Sequence, residues 1–516
     1  MEVRWQIVIR KSLPAIALGV LAFTLVLVIT DPPGPGLDPD ALSYMGSAET
    51  LAAHAEYRVP TAAWTRADSM APLAHFPPGF PTLLAVPVRA GMAPAQAARL
   101  VEAVAAFTTI TTLVLLVGGA VGQGAAVLLA LALFAMTSMQ EVHVSILSEP
   151  LYLTCTVLVL AALVHAPLRP LRAGLAAGAA VMTRYAGASL VGAVALWALL
   201  QPGRWRARLR RVALALAPAV VLQGAWVIRT RLVAGPGEIR RFALYGNLGP
   251  TLREGGSTLA AWLIPEAGPD PIPYHVALAL AAGLALATLV AVGAWRAWRA
   301  TAGAPLLERP DPRSPAAWRL LTATSLLLGC YVAIVAVSRV LADPRIPLDE
   351  RILAPALLLL MTLAATGLAL WWRSPRSTGV RIVVAAGLLA WWVDAASATR
   401  EEVQYALEWG SDFAGSQWRE SELLEWARTT GASAPLYSNW PPAVYFYLHR
   451  PAREVPRSGD PRTLAAFADT LRVRGGRVLL FDAPSEEQPP AESFRRAPGL
   501  REIAHPADGV VLGARP

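Results

Sequence analysis

The sequence is poor in charged residues, which make up 16% of its 516 positions, while hydrophobic residues make up 55%. A soluble globular domain carries about 25% charged residues. The charges are clustered between apolar runs of roughly 17 to 25 residues, the length that crosses a bilayer. These runs do not alternate in short segments, as the strands of a membrane barrel would. The sequence therefore predicts an α-helical polytopic membrane protein, because helices satisfy their own backbone in lipid.

Cysteine is also scarce, and the two present, Cys155 and Cys330, both lie inside apolar runs. Neither belongs to a redox or metal-binding motif. The sequence has no P-loop glycine motif that would cradle a nucleotide phosphate. Many transporters are built from internal repeats, and this sequence shows none. These absences count against a nucleotide-dependent enzyme and give no support to a transporter.

Positive charge is concentrated beside the apolar runs and gives the chain a formal net charge of +9. The basic clusters lie at residues 4–11, 204–211, 296–319 and 373–381. All fall on one side of the membrane if the N-terminus is cytoplasmic, as the positive-inside rule requires. We interpret them as topology signals and expect no nucleic acid partner. The runs, including residues 276–294, predict about eleven crossings of the cell inner (plasma) membrane, with an extracytoplasmic C-terminus.

The composition divides the chain into a membrane module and a smaller outer domain. Residues 1–397 form the module, with a first outer loop at 31–95, and residues 398–516 resemble a soluble domain. Within the latter, residues 436–438, 477–481 and 510–512 are predicted strands, and residues 420–428 and 464–472 are predicted helices. Mixed strands and helices predict a small α/β extracytoplasmic domain.

Residues 173–200 are mostly apolar, with Arg184 near the midpoint as the one charged residue, and both flanks carry arginine. The chain must then cross twice in a short stretch or not at all. We predict two short helices that meet at a turn, because non-helical backbone at membrane depth is tolerated where it lines a cavity. The alternative is one long tilted helix, which would put Arg184 in the middle of the bilayer.

Acidic residues stand beside two predicted helix starts on the outer side. Asp38 and Asp40 form a D-x-D pattern after the first apolar run, and Glu149 precedes Pro150. Carboxylates near lipid are costly and often functional. Together, Asp38, Asp40 and Glu149 could hold a divalent metal. Equally, each could cap the helix that follows it, and both roles could coexist.

Cations stand at the outer ends of two apolar runs, at Arg184 and Arg351. A guanidinium suits a lipid phosphate. The alternatives are snorkelling to headgroups or, for Arg351, an ion pair with Asp349 or Glu350. His75 stands alone, so it could be a substrate ligand or a structural residue of a proline-rich turn.

Several short motifs, in this order, resemble those of GT-C glycosyltransferases, and most closely the family 39-like branch of protein O-mannosyltransferases and lipid A aminoarabinose transferases. The motifs are Pro39-Asp40-Ala41-Leu42-Ser43-Tyr44, His75-Phe76-Pro77-Pro78-Gly79-Phe80-Pro81, Ser148-Glu149-Pro150, Thr183-Arg184-Tyr185-Ala186-Gly187 and Asp349-Glu350-Arg351-Ile352-Leu353-Ala354-Pro355. The resemblance implies an inverting enzyme that uses a polyprenyl-phosphate sugar, with Asp40 as catalytic base. The family often has a second acid beside that base, whereas here Ala41 follows and the other acid is Asp38.

We therefore expect a glycosyltransferase that moves a sugar from a lipid-phosphate donor to a hydroxyl of a glycan, lipid or protein acceptor. The rival hypotheses are a lipid or solute transporter and a non-catalytic scaffold. Asp40 and Asp38 are the predicted catalytic residues. The predicted substrate-binding residues are Tyr44, His75, Glu149, Arg184, Tyr185 and Arg351.

Overall fold

The computed structural model describes residues 2–165, 168–234, 245, 248–264, 315–341, 343, 345–373, 377–430, 434–483 and 488–515. Contacts divide the chain into two units. The helical unit comprises Met1–Ile29, Arg99–Arg229 and Pro236–Tyr405. The second unit comprises Thr30–Ala98, Thr230–Gly235 and Ala406–Pro516, and we name it the outer unit after the side of the membrane that the sequence predicts for it. The outer unit thus joins the first loop to the C-terminal region, a grouping that composition does not indicate.

The helices, in chain order, are α1 (Glu2–Ile29), α2 (Pro39–His54), α3 (Gly79–Arg89), α4 (Pro94–Val121), α5 (Gln123–Phe134), α6 (Thr137–Val144), α7 (Glu149–Val164), α8 (Pro170–Thr183), α9 (Ala188–Leu200), α10 (Trp205–Ala234), α11 (Leu248–Leu263), α12 (Pro315–Leu341), α13 (Glu350–Trp372), α14 (Thr378–Trp409), α15 (Ser416–Arg419), α16 (Glu422–Thr429), α17 (Pro441–Leu448), α18 (Pro461–Arg474) and α19 (Ala491–Arg495). The strands are β1 (Arg58–Val59), β2 (Thr61–Ala63), β3 (Ala71–Pro72), β4 (Leu436–Ser438), β5 (Ala452–Glu454), β6 (Arg477–Phe481), β7 (Leu500–Ala504) and β8 (Gly509–Ala514).

Six described helices are long and apolar enough to cross a membrane: α1, α4, α10, α12, α13 and α14. The bent pair α5 and α6, which turns by 63°, would make a seventh span if it crosses as one. The chain is therefore a multi-pass membrane protein, as predicted. The predicted span at 276–294 and the basic residues 296–313 lie outside the described residues, so the number of crossings stays a prediction.

The chain breaks at Arg184, as the sequence predicts. Arg184 is extended, with φ −145° and ψ 142°, and a 3-10 turn at Tyr185–Gly187 leads into α9. Helices α8 and α9 pack against each other, so the alternative of one long helix is wrong. Gly187 makes the turn possible, because a Cβ there would lie 2.3 Å from the backbone nitrogen of Val181.

Helix α8 also packs closely on α10 through glycines one turn apart. A Cβ on Gly174 would lie 2.2 Å from the carbonyl oxygen of Ala215, and one on Gly178 would lie 3.3 Å from the nitrogen of Ala219. Small residues at this spacing let helix backbones approach within a membrane. This packing fixes α8, the helix that immediately precedes Arg184.

The outer unit is built on a six-stranded sheet with the order β2-β5-β4-β6-β8-β7. Strands β2, β5, β4 and β6 are parallel, whereas β8 is antiparallel to β6 and β7. The strands and helices predicted for the C-terminal region are confirmed, as β4, β6, β8, α16 and α18. Strand β2 comes from the first loop, which the sequence analysis assigns to the membrane module.

Candidate functional site

Glu149 is the centre of a buried ion cluster in the helical unit. It is the first residue of α7, and only 1% of it is exposed. Its Oε2 lies 2.5 Å from Nη1 of Arg184, and its Oε1 lies 2.5 Å from Nε of Arg351. The arginine side chains are 20% and 18% exposed. Three predicted substrate-binding residues from three separate motifs therefore meet at one point.

Ser148 extends this cluster by hydrogen bonds. Its Oγ accepts from Nη1 of Arg184 at 3.1 Å and donates to Oε2 of Glu149 at 3.3 Å. Pro150 follows at the start of α7, where its missing N–H costs nothing. The local sequence Ser-Glu-Pro thus starts a helix and presents a carboxylate at its first residue.

Two buried tyrosines hold the backbone segments that carry the arginines. The Tyr152 hydroxyl donates to the Ala186 carbonyl at 3.2 Å and is 3.1 Å from Oγ of Ser189, so it ties α7 to the turn after Arg184. The Tyr331 hydroxyl of α12 donates to the Ile352 carbonyl at 2.5 Å, beside Arg351. Neither tyrosine belongs to a predicted site motif, although Tyr152 follows Glu149 by three positions and so faces the same side of α7.

The segment that leads to Arg351 is fixed by caps and clamps. The Asp349 carboxylate accepts the Ile352 N–H at 2.8 Å and caps α13. The next residue, Glu350, accepts from Thr137 at 2.9 Å and from Ser138 at 2.8 Å, which ties α13 to α6. No local pattern in the sequence indicates these partners.

A second clamp lies upstream of Asp349. Glu254 on α11 accepts from Nη2 of Arg339 at 2.5 Å and from the Leu348 N–H at 2.6 Å. Burial raises the pKa of Glu254, but the hydrogen bonds from Arg339 and Leu348 outweigh it and lower the pKa below its usual value. Glu254 therefore stays ionised and holds the loop before α13.

A further buried acid, Glu102 on α4, supports the segment before Ser148. It is 1% exposed, and its Oε1 accepts the Leu147 N–H at 2.9 Å. Its Oε2 has no hydrogen-bond partner within the described part of the chain. Glu102 therefore acts on the backbone that leads into the cluster.

Asp38 and Asp40 lie in the outer unit, at the start of α2. The Asp38 carboxylate caps α2 and accepts the Asp40 N–H at 2.8 Å. The capping role that the sequence left open is therefore confirmed for Asp38. Asp40 is half-buried in the first turn of α2, where the helix dipole favours a negative charge.

The other two predicted residues of this unit differ in exposure. The Tyr44 ring is 1% exposed and packs with its centroid 5.1 Å from the rings of both Phe76 and Phe80. His75 is exposed and lies edge-to-face on Phe76 at 4.7 Å. Tyr44 thus builds the core that supports α2. Tyr185, in the helical unit, is 39% exposed at the start of the turn after Arg184.

The cluster of Glu149, Arg184 and Arg351 carries a formal charge of +1, from +2 on the arginines and −1 on the carboxylate. Guanidinium groups match phosphate oxygens in geometry and charge, so the cluster suits an anionic ligand. Within the described ranges, no group of three or more His, Cys, Asp or Glu residues could hold a metal ion. The metal role of Asp38, Asp40 and Glu149 stays a prediction.

No protein-family model matches the chain, and no curated protein matches it by sequence. Solved structures match its fold. ArnT from Cupriavidus metallidurans, bound to undecaprenyl phosphate, is 16% identical with a TM-score of 0.59, over 97% of this chain and 98% of ArnT. The mycobacterial arabinofuranosyltransferase AftD is 15% identical with a TM-score of 0.55, and the match covers 97% of this chain but 39% of AftD.

A third match is the oligosaccharyltransferase of Archaeoglobus fulgidus, in complex with Zn and sulfate. It is 13% identical with a TM-score of 0.50, over 90% of this chain and 68% of that protein. All three are members of the GT-C superfamily. At these identities the likeness shows the fold, and the predicted GT-C fold is confirmed.

Proposed function

We propose that this protein is an inverting glycosyltransferase that moves a sugar from a polyprenyl-phosphate donor to an acceptor hydroxyl on the extracytoplasmic face. The observation that carries the proposal is the buried Glu149 with its two arginines. It stands in a fold shared with ArnT, which was crystallised with undecaprenyl phosphate. A lipid-phosphate donor fits both the membrane helices and the cationic cluster.

In the proposed reaction, Asp40 takes the proton of the acceptor hydroxyl, which is a poor nucleophile until it loses that proton. The hydroxyl oxygen then attacks the anomeric carbon from the face opposite the phosphate. The bond from that carbon to the phosphate oxygen breaks, and the electron pair leaves with the polyprenyl phosphate. One inversion at the anomeric carbon results.

Arg184 and Arg351 stabilise the charge that develops on the leaving phosphate. Fixed cations in a site shielded from water act more strongly than the same charges in water. Glu149 holds both guanidiniums at 2.5 Å, so they do not have to be ordered when the donor binds. This pre-organisation is the role that we assign to Glu149.

The test is transfer from a radiolabelled polyprenyl-phosphate sugar in proteoliposomes. Asp40→Asn should lower the rate by roughly 100-fold or more, the usual contribution of a general base, while the protein stays folded and inserted. Full activity in that variant would remove the assignment of Asp40.

Arg351→Ala should raise the KM for the donor more than the KM for the acceptor. Movement of intact donor across the bilayer, without transfer, would support the transporter hypothesis instead.

A further inference from the structure

The first outer loop is anchored to the C-terminal region by a parallel strand pair. Thr61, Ala62 and Ala63 of β2 align with Ala452, Arg453 and Glu454 of β5. Nearly four hundred residues separate the partners in sequence. Helix α2, which carries Asp40, precedes β2 by a short segment. The loop that holds the proposed base is therefore an edge of the C-terminal sheet.

Two arginines of the C-terminal region donate hydrogen bonds to backbone carbonyls just after β2. Arg474 donates from Nη1 to the carbonyl of Arg66 at 2.7 Å and from Nη2 to that of Thr65 at 3.2 Å. Arg453, which is 8% exposed, donates to the carbonyl of Ala67 at 2.6 Å. Several backbone carbonyls in succession are thus held by guanidinium groups, which fixes the path of the loop.

Contacts also hold α2 itself. Just before the helix, the Leu37 carbonyl accepts the Phe413 N–H at 3.3 Å. Further along, the Tyr445 hydroxyl of α17 donates to Oε2 of Glu49. Burial, together with the charge of Glu49, raises the pKa of Tyr445, so its hydroxyl keeps the proton that it donates.

The position of Glu49 on α2 gives this bond its effect. Glu49 follows Asp40 by nine residues, which is about two and a half helical turns, so the two acids point to opposite sides of α2. A hydrogen bond at Glu49 therefore fixes the rotation of the helix about its axis. It does so from the back, on the side away from Asp40.

We propose that the C-terminal α/β region is the positioning frame for Asp40, and that Tyr445 is a positioning residue that acts through Glu49. This inference rests on the proposed function, in which Asp40 is the base. It assigns a role to a region that contains none of the family-like motifs of the sequence. In this proposal the C-terminal region sets the direction of the Asp40 carboxylate, although Asp40 belongs to the first loop.

The test compares two Tyr→Phe variants in the same unit. Tyr445→Phe removes the hydrogen bond to Glu49 and keeps the ring. Tyr437→Phe is the matched control, because the Tyr437 hydroxyl is buried and has no hydrogen-bond partner in the part of the chain that the structure describes. Both variants should fold, since each removes one oxygen atom.

The first readout is hydrogen exchange of the peptide that covers residues 39–54 in the full-length protein in nanodiscs. Tyr445→Phe should speed exchange by about ten-fold or more, which is what the loss of a hydrogen bond to a charged group allows. Tyr437→Phe should leave the exchange unchanged. Equal exchange in the two variants would overturn the proposal, and this readout does not depend on transferase activity.

The second readout is kinetic. Tyr445→Phe should lower kcat by about ten-fold and leave the KM for the donor within two-fold of the wild type, because the proposed phosphate-binding arginines belong to the helical unit. Glu49→Gln keeps a carbonyl acceptor for Tyr445 and should retain activity, whereas Glu49→Leu should match Tyr445→Phe. A change in KM with kcat intact would contradict the positioning role. If no variant and no wild type transfers sugar, the proposed function fails while the exchange result still stands.

Discussion

Glu149 determines whether the two arginines can stay close together in a buried place. Each of its two oxygens contacts one guanidinium, on side chains that are 20% and 18% exposed, so one buried carboxylate links both cations. Removing one partner of a buried ion pair destabilises the folded protein far more than the intact pair stabilises it, because the charge left behind is poorly solvated. The carboxylate is thus a structural requirement for the cationic site that we propose.

Glu149→Gln should therefore lower the free energy of unfolding by about 3 kcal/mol, the lower end of the range for a broken buried pair, since both arginines keep some solvent contact. Thermal unfolding in detergent measures it. The matched control is Glu425→Gln, which breaks a pair with Arg428 on α16 where both side chains are more than half exposed. That change should stay within about 0.5 kcal/mol, and equal losses in the two variants would contradict the buried cluster.

Asp38 offers a test of capping against metal binding. Asn caps a helix about as well as Asp, whereas Ala costs about 1 kcal/mol. If Asp38 only caps α2, Asp38→Asn should keep its transfer activity and Asp38→Ala should lose stability. A metal ligand would respond differently. Both substitutions remove the charge, so both variants would lose transfer activity. Divalent ions that stimulate the wild type would then fail to stimulate either variant.

At the level of elements, the turn between α8 and α9 depends on one glycine. Gly187→Ala would place a Cβ 2.3 Å from Val181 N and 2.4 Å from Ala180 C, so the turn must move off α8. Gly192→Ala, in α9, meets nothing within 4 Å and is the matched control. We expect Gly187→Ala to weaken donor binding and lower the melting temperature. Gly192→Ala should be neutral, or stabilising by up to about 1 kcal/mol.

The clamp between α11 and the loop before α13 should depend on pH. The pKa of Glu254 is lowered in the folded protein. Its stabilisation is therefore fully present above its unfolded pKa of about 4.3 and is lost as the pH falls through the lower folded pKa. Glu254→Gln should destabilise the protein at pH 7 and by progressively less as the pH falls below 4, measured by thermal unfolding. A penalty that does not change with pH would contradict an ionic clamp.

The break at Arg184 and the C-terminal strands could be predicted because their signals are local: a cation inside an apolar run, and short, mostly apolar runs between turns. The partners of the site could not. The residues next to Tyr152, Tyr331 and Glu350 in sequence do not indicate the hydrogen-bond partners of these side chains, because the partners are brought together by helix packing. Strand β2 is three residues long, and its pairing with β5 joins distant parts of the chain, so no local pattern predicts it.

For the whole molecule, the shared sheet constrains the topology. Residues 30–98 and 406–516 belong to one unit, so both must lie on the same side of the membrane. The chain between them must therefore cross the bilayer an even number of times. The predicted total of about eleven spans satisfies this, because the first span precedes residue 30 and leaves about ten. A topology with one fewer span between the two segments would have an odd number of crossings and would put them on opposite sides.

Cysteine labelling of intact cells tests both the sheet and the orientation. In a Cys330→Ser background, Glu56→Cys in the first loop and Val473→Cys in the C-terminal region provide exposed thiols. Both should react with a membrane-impermeant maleimide. Arg206→Cys, in a basic cluster that the positive-inside rule puts in the cytoplasm, should react only after the cells are opened. Different reactivity at positions 56 and 473 would contradict the shared sheet, because one sheet cannot span both sides. Protection of both, with labelling at 206, would reverse the proposed orientation and put Asp40 inside the cell.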